Sequence, residues 1–135
     1  STSRRQRQMC IRDSFVQLTG LIYPEEIVSA DVGDVCIAYI FPRYSKTGIN
    51  ILAWMRSRGV KIVLITSNNN LPVRSYGDIC FRCAIQSVSC KNSLTAPMCL
   101  TNYLVAELAL RNYDEAHEVL SRTEDILSTG FYLGI

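Results

Sequence analysis

The chain has 135 residues, of which 48% are hydrophobic and 19% charged. That balance suits one globular domain that buries a core without metal or disulfide staples, and it excludes a chain disordered throughout. The formal charge is +2, yet Arg4, Arg5, Arg7 and Arg12 hold four of the fourteen basic residues, leaving ten against twelve acidic ones. A slightly acidic body does not grip nucleic acid by itself, because that requires clustered Lys and Arg to neutralise phosphates.

No apolar run reaches the roughly 18 residues of a membrane helix. The first residues also lack the apolar core of a signal peptide. Six cysteines are present: Cys10, Cys36, Cys80, Cys83, Cys90 and Cys99. Several sit inside apolar runs, where free cysteine behaves as a small buried hydrophobe. A reducing, cytoplasmic setting is therefore expected. The spacing Cys80-Phe-Arg-Cys83 is C-x-x-C, a metal or redox pattern in its sharper reading. A strand here points the two thiols to opposite faces, and no second C-x-x-C or nearby His completes a site. We expect no metal and no cofactor.

Residues 1–14 differ from the rest. The run RRQRQMCIRDS has no usable period and resembles translated sequencing-adapter sequence. These residues are set aside as an artefact or a disordered segment, a basic nucleic-acid arm being the other reading. On the artefact reading the chain is expected to lack its true N-terminal part. The domain then runs over residues 15–135.

Phe15 to Leu18 is a short candidate strand. Tyr23-Pro24-Glu25-Glu26 opens a short helix that ends near Ala30, with Pro in the first turn and acids at the positive end. Val32-Gly33-Asp34 is a turn. Val35 to Phe41 is a continuous apolar run, which fits a strand buried in a parallel sheet. Ser45 caps a helix whose inward face carries Ile49, Leu52, Ala53 and Arg56, widened by Ile51, Trp54 and Met55, and Gly59 ends it. Lys61 to Thr66 is a second buried strand. Residues 67–70 form a loop, Leu71-Pro72 starts a short turn or helix, and Asp78 to Ala84 is a third strand. Gln86 to Ser93 is loop-like. Leu94 to Arg111 is a long helix, apolar almost all round, which requires burial in the core or at a subunit interface. Asp114 caps a last helix with Ala116, Val119, Leu120, Thr123 and Leu127 on one face, and Gly130 stops it.

Strand, helix, strand, turn, strand, helix is the order of a parallel sheet between helix layers. Ligands of such sheets bind at the carboxyl ends of the strands. The loop from Pro42 to Thr47 leaves a strand and opens a helix, so its hydroxyls and free N–H groups form an anion site suited to phosphate. Arg43 adds a bidentate donor. Ser45 as a plain N-cap and Arg43 as a solvated charge is an equally weighted reading. Thr66 and Ser67 reach the same edge, where they meet a ligand or simply end a strand. Ser93 touches ligand or caps the long helix. His117 lies on a polar helix face, Glu115 and Glu118 are surface charges, and Glu107 pairs with Arg111 at i+4.

The stretch from Gly33 to Cys80, with the strand ending in FPRYS, the strand ending in ITS before Leu71-Pro72, and the strand that starts at Asp78, resembles the sugar isomerase (SIS) domain. It is most similar to the SIS domain of RpiR-type transcriptional regulators, and SLTAPMCLTNYLVAELALRN from Ser93 resembles the helix that follows. The similarity spans roughly residues 32 to 128. It implies a three-layer α/β/α sandwich of flavodoxin-like SIS type, incomplete at the N-terminus, that binds a phosphorylated sugar. It implies further a homodimer that meets DNA only through a helix-turn-helix domain absent from this chain. Ser45 and Thr47 become phosphate contacts, Thr66 and Ser67 line the sugar, Ser93 closes the pocket, and Arg43 supports the anion. Ile40 stands where the family commonly has Ser, and Pro42-Arg43 where many members have Ser-Gly.

Three functions follow. The leading one is a sensing and dimerisation domain of a transcriptional regulator, not an enzyme. The second is a sugar-phosphate isomerase, which requires a base beside a carbonyl; no His or Glu falls near the ligand loops. The third is a dimerisation module without ligand.

Overall fold

The computed structural model describes residues 27–42, 45–67 and 71–131. The candidate strand at Phe15, residues 1–14, Arg43, and Asn68 to Asn70 lie outside the described residues, as does all but the last turn of the first expected helix. In that turn the Ala30 N–H donates to the Ile27 carbonyl at 3.0 Å. The chain divides into two units, one ending at Arg82 and the other starting at Cys83.

The first unit is a parallel sheet with helices on one face. Its strands are β1 (Val35–Ile40), β2 (Lys61–Thr66) and β3 (Ile79–Arg82), in the order β1-β2-β3. Helix α1 (Lys46–Ser57) connects the first two strands and the short α2 (Leu71–Arg74) the last two. The register sets Ala38, Leu64 and Cys80 in one row. On that face Ala38, Ile62 and Leu64 form the core with Leu52 of α1 and Val73 of α2, and Ile49, Met55 and Tyr76 pack against it. Successive strand residues point to opposite faces, and on the other face Ile37, Tyr39 and Ile79 are exposed.

Both ends of α1 follow the sequence. Ser45 is the N-cap, and its Oγ accepts from the Gly48 N–H at 3.0 Å. Gly59 follows the C-cap Arg58 with φ +79, a left-handed conformation that glycine adopts without strain. The inward face is shifted from expectation. Leu52 is buried and Ile49 and Met55 pack inward, but Ala53 is exposed. Arg56 is also exposed and reaches across to donate to the Ser75 carbonyl at 2.9 Å.

The third strand is shorter than expected, four residues in place of seven. Thr66 is the last residue of β2 and pairs with Arg82, so beyond Arg82 the ladder has no neighbour to continue on. At the other end Asp78 is held outside the strand. Its backbone N–H donates to the Ile62 carbonyl, and its carboxylate accepts from the Ile62 N–H, both at 2.8 Å.

The second unit carries α3 (Thr95–Arg111) and α4 (Tyr113–Ile126), ending in a single π turn (Leu127–Phe131) broken by Gly130 at φ +91. Asp114 is not the cap of α4. Asn112 holds that position without a side-chain capping bond, its amide donating instead to the Leu108 carbonyl, and Asp114 sits in the first turn, where its charge still meets the positive helix end. Among the residues of helix α3 Pro97 is buried within its unit, whereas Tyr103, Val105, Leu108 and Leu110 are 57–69% exposed. Glu107 pairs with Arg111 at 3.8 Å as expected and also accepts from the Tyr103 hydroxyl. His117 is exposed and stacks on Tyr113, with ring centroids 5.8 Å apart.

Candidate functional site

The carboxyl edge of the sheet is defined by one row of residues. Ile40 pairs with Thr66, and Thr66 pairs with Arg82. The loop to α1 leaves the sheet at this edge after Ile40, and Ser67 leaves it after Thr66. Three of the residues singled out from the sequence, Ser45, Thr66 and Ser67, therefore belong to the segments that form this edge.

Ser45 is exposed, and its oxygen is engaged in capping. Capping uses the hydroxyl as an acceptor and leaves its proton to donate. Within α1 the first satisfied donors are Gly48, bound to the Ser45 hydroxyl, and Ile49, bound to the Ser45 carbonyl at 3.3 Å. The N–H groups of Lys46 and Thr47 have no acceptor inside the helix, as for any helix start. These donors and the positive end of a twelve-residue helix suit an anion. The two sequence readings of Ser45 are thus compatible, because one hydroxyl can cap and donate.

Thr66 is fully buried and Ser67 is 5% exposed. Among the described residues the Ser67 Oγ is the buried side-chain oxygen without a hydrogen-bond partner. A buried hydroxyl left unpaired costs about 1–3 kcal/mol, so such groups in folded proteins call for an explanation.

Thr47 lies elsewhere. It lines a groove of about 410 Å³ with Ile27, Val28, Asn50, Ile51 and Trp54, a lining that includes none of Ser45, Thr66 and Ser67. Helical geometry accounts for this, since Thr47, Ile51 and Trp54 share one face while Gly48, Leu52 and Met55 share the face turned to the core. Its side chain is therefore turned to the groove, while its backbone N–H stays at the start of α1. Ile40 packs against the core.

Ser93 is in the second unit and has a local role. Its hydroxyl donates to the Thr95 Oγ1 at 3.1 Å and accepts from the Thr95 N–H at 3.4 Å, at the start of α3. Its own N–H donates to the Ile85 carbonyl at 2.9 Å.

The C-x-x-C pair is split in character. Cys80 packs against the first unit's core, and its Sγ contacts the Arg74 carbonyl at 3.6 Å. Cys83 is buried, and burial pushes its thiol above the ordinary range, as it does for Cys36. A raised thiol is less nucleophilic and a poorer metal ligand at neutral pH.

Two positions were not singled out from the sequence. Asp78 is one, and its hydrogen bonds to Ile62 make it a clamp at the amino end of the sheet. Arg82 is the other, an exposed residue on the same sheet row as Thr66.

No protein-family model and no curated protein matches the chain. Among solved structures it is similar to the RpiR transcription factor from Sphaerobacter thermophilus (sugar isomerase domain). The TM-score is 0.69 and the identity 24%, over 76% of this chain and 57% of that one. The chain thus spans little more than half the length of that structure. At this identity the likeness is one of fold, and it agrees with the mixed α/β class and parallel sheet expected from the sequence.

Proposed function

We propose that this chain is a sugar-phosphate-binding regulatory domain of an RpiR-type transcriptional regulator. It senses an effector, dimerises and catalyses nothing, and it works in the cytoplasm. DNA contact belongs to a helix-turn-helix domain outside these residues. The observation that carries this reading is the unpaired, buried Ser67 hydroxyl on the segment that leaves the sheet's carboxyl edge, where the start of α1 also presents free N–H donors. A ligand with hydroxyls and a phosphate supplies partners for both. The fold likeness supports the reading, and no helix among the described residues is long and apolar enough to cross a membrane.

Isomerisation requires a base within reach of a carbon next to a carbonyl. The acids described in the first unit are Asp31, Asp34 and Asp78, all in turns at the amino ends of strands, opposite the proposed site. Sensing requires none. The ligand instead biases a two-state equilibrium by binding one state better.

Calorimetric titration with a panel of sugar phosphates, with the unphosphorylated sugars as controls, tests the proposal. Saturable binding that depends on the phosphate is expected. Ser67→Ala should weaken it about tenfold, the worth of one buried hydrogen bond, and Ser45→Ala should weaken it by loss of a phosphate donor. If the folded domain binds no phosphosugar, the sensor reading fails and the dimerisation module replaces it.

A further inference from the structure

Charge is segregated along the strand direction of the first unit. No Asp or Glu occurs from Val35 to Gly77, or from Ile79 to Ala106. The acids described in this unit are at the amino ends of strands and are engaged there. Asp31 pairs with Arg58 at 3.4 Å and Asp78 with Lys61 at 3.7 Å, while the Asp34 carboxylate accepts from the Asp31 N–H at 2.9 Å. Among the described residues the carboxyl edge has bases and no acid. Lys46 opens α1, and Arg82 ends β3 level with Thr66.

Arg82 is exposed, and its guanidinium has no ion pair or hydrogen bond among the described residues. Arg56 and Arg58 of the same unit do have partners. Side chains that share a row of a parallel sheet project from one face. Arg82 thus extends beside Thr66, one residue before the unpaired Ser67 hydroxyl. A guanidinium fork with no described acid paired to it favours an anionic oxygen pair, carboxylate or phosphate, over a neutral hydroxyl. The helix start already accounts for one phosphate.

We propose that Arg82 is a specificity-determining residue for a second anionic group, so that the effector is a phosphosugar carrying a further carboxylate or phosphate. The proposal rests on the sugar-phosphate reading above and deepens it. The first anion lies at the α1 start, and the second meets Arg82 at the end of β3.

The full chain is titrated with fructose 6-phosphate, fructose 1,6-bisphosphate and 6-phosphogluconate, in wild type, Arg82→Gln and Arg82→Lys. At least one of the doubly anionic ligands should bind about tenfold or more tightly than the monophosphate, and which one identifies the second group as carboxylate or phosphate. Arg82→Gln should remove most of that preference and leave the monophosphate affinity within about twofold. Arg82→Lys should keep part of it, since the charge remains but the fork does not. Circular dichroism establishes that the variants are folded. Equal affinity for all three ligands in wild type, or a preference that survives in Arg82→Gln, overturns the role of Arg82 and leaves the sugar-phosphate reading standing. Binding of none of the three together with none of the wider panel overturns both.

Discussion

Asp78 shows how a single carboxylate is given a job by backbone geometry. It accepts the Ile62 N–H at 2.8 Å and has Lys61 at 3.7 Å. The Ile62 hydrogen bond is the main cause that holds its carboxyl below the usual range, with Lys61 and Arg56 assisting against desolvation. A group whose pKa is lower in the folded state binds fewer protons there than in the unfolded chain, so the stability it adds is present above the unfolded value of about 3.9 and is lost as pH falls through the folded one. Asp78→Asn keeps an oxygen acceptor and removes the charge. Unfolding followed between about pH 6 and pH 3 should therefore show wild type losing its advantage over Asp78→Asn as pH drops. Curves that run parallel over that window would mean the carboxylate charge contributes nothing. The same residue shows what a sequence hides. Asp78 reads as the first residue of a strand, and only the register of β2 against β3 places it outside the ladder as a clamp. Arg82 is hidden in the same way, because its meaning comes from standing level with Thr66. The signal that pointed to it was legible all along in the two acid-free runs that flank Asp78.

At the scale of elements, the parts set by local chemistry were the readable ones. Apolar runs specify β1 and β2, Ser45 specifies the start of α1, and Gly59 and Gly130 specify ends. Gly59 permits a direct check. At φ +79 an added Cβ would meet Val32 Cγ2 at 2.8 Å. Val32 is 72% exposed and free to turn aside, so the left-handed backbone rather than the contact sets the penalty. Gly59→Ala is expected to cost about 1–2 kcal/mol, read as a lower denaturant midpoint with an unchanged slope. A midpoint equal to wild type would mean that the chain leaves α1 by another route. Less readable were features decided by partners distant in sequence. The short β3, the outward Ala53 and the turn of Thr47 into a groove depend on where β2 ends and how α1 rolls on the sheet. Asp114 was misplaced for a local reason, because Asn112 two residues earlier already begins the helix.

Over the whole molecule, the unresolved demand is that of α3. Its sequence is apolar almost all round, and such a helix requires cover. Within its own unit it has little: Val105, Leu108 and Leu110 are 60%, 57% and 69% exposed, and Val119 and Leu120 of α4 are 56% and 62% exposed. Apolar exposure on this scale suits an interaction surface better than a solvated one. A second copy of the chain is the occupant that the regulatory reading supplies, since two-fold dimers set one patch against itself. Val105 and Leu108, three apart on α3, share a stripe, so a charge at each places four like charges at a symmetric interface. Light scattering coupled to size exclusion should give twice the monomer mass for wild type. For Val105→Glu combined with Leu108→Glu it should give the monomer mass, with the helical circular dichroism kept. A double variant that stays dimeric would move the interface off this stripe. A wild type that is monomeric at high micromolar concentration would remove the dimer from the proposal, and leave ligand binding in the first unit to stand on Ser67 and the α1 start.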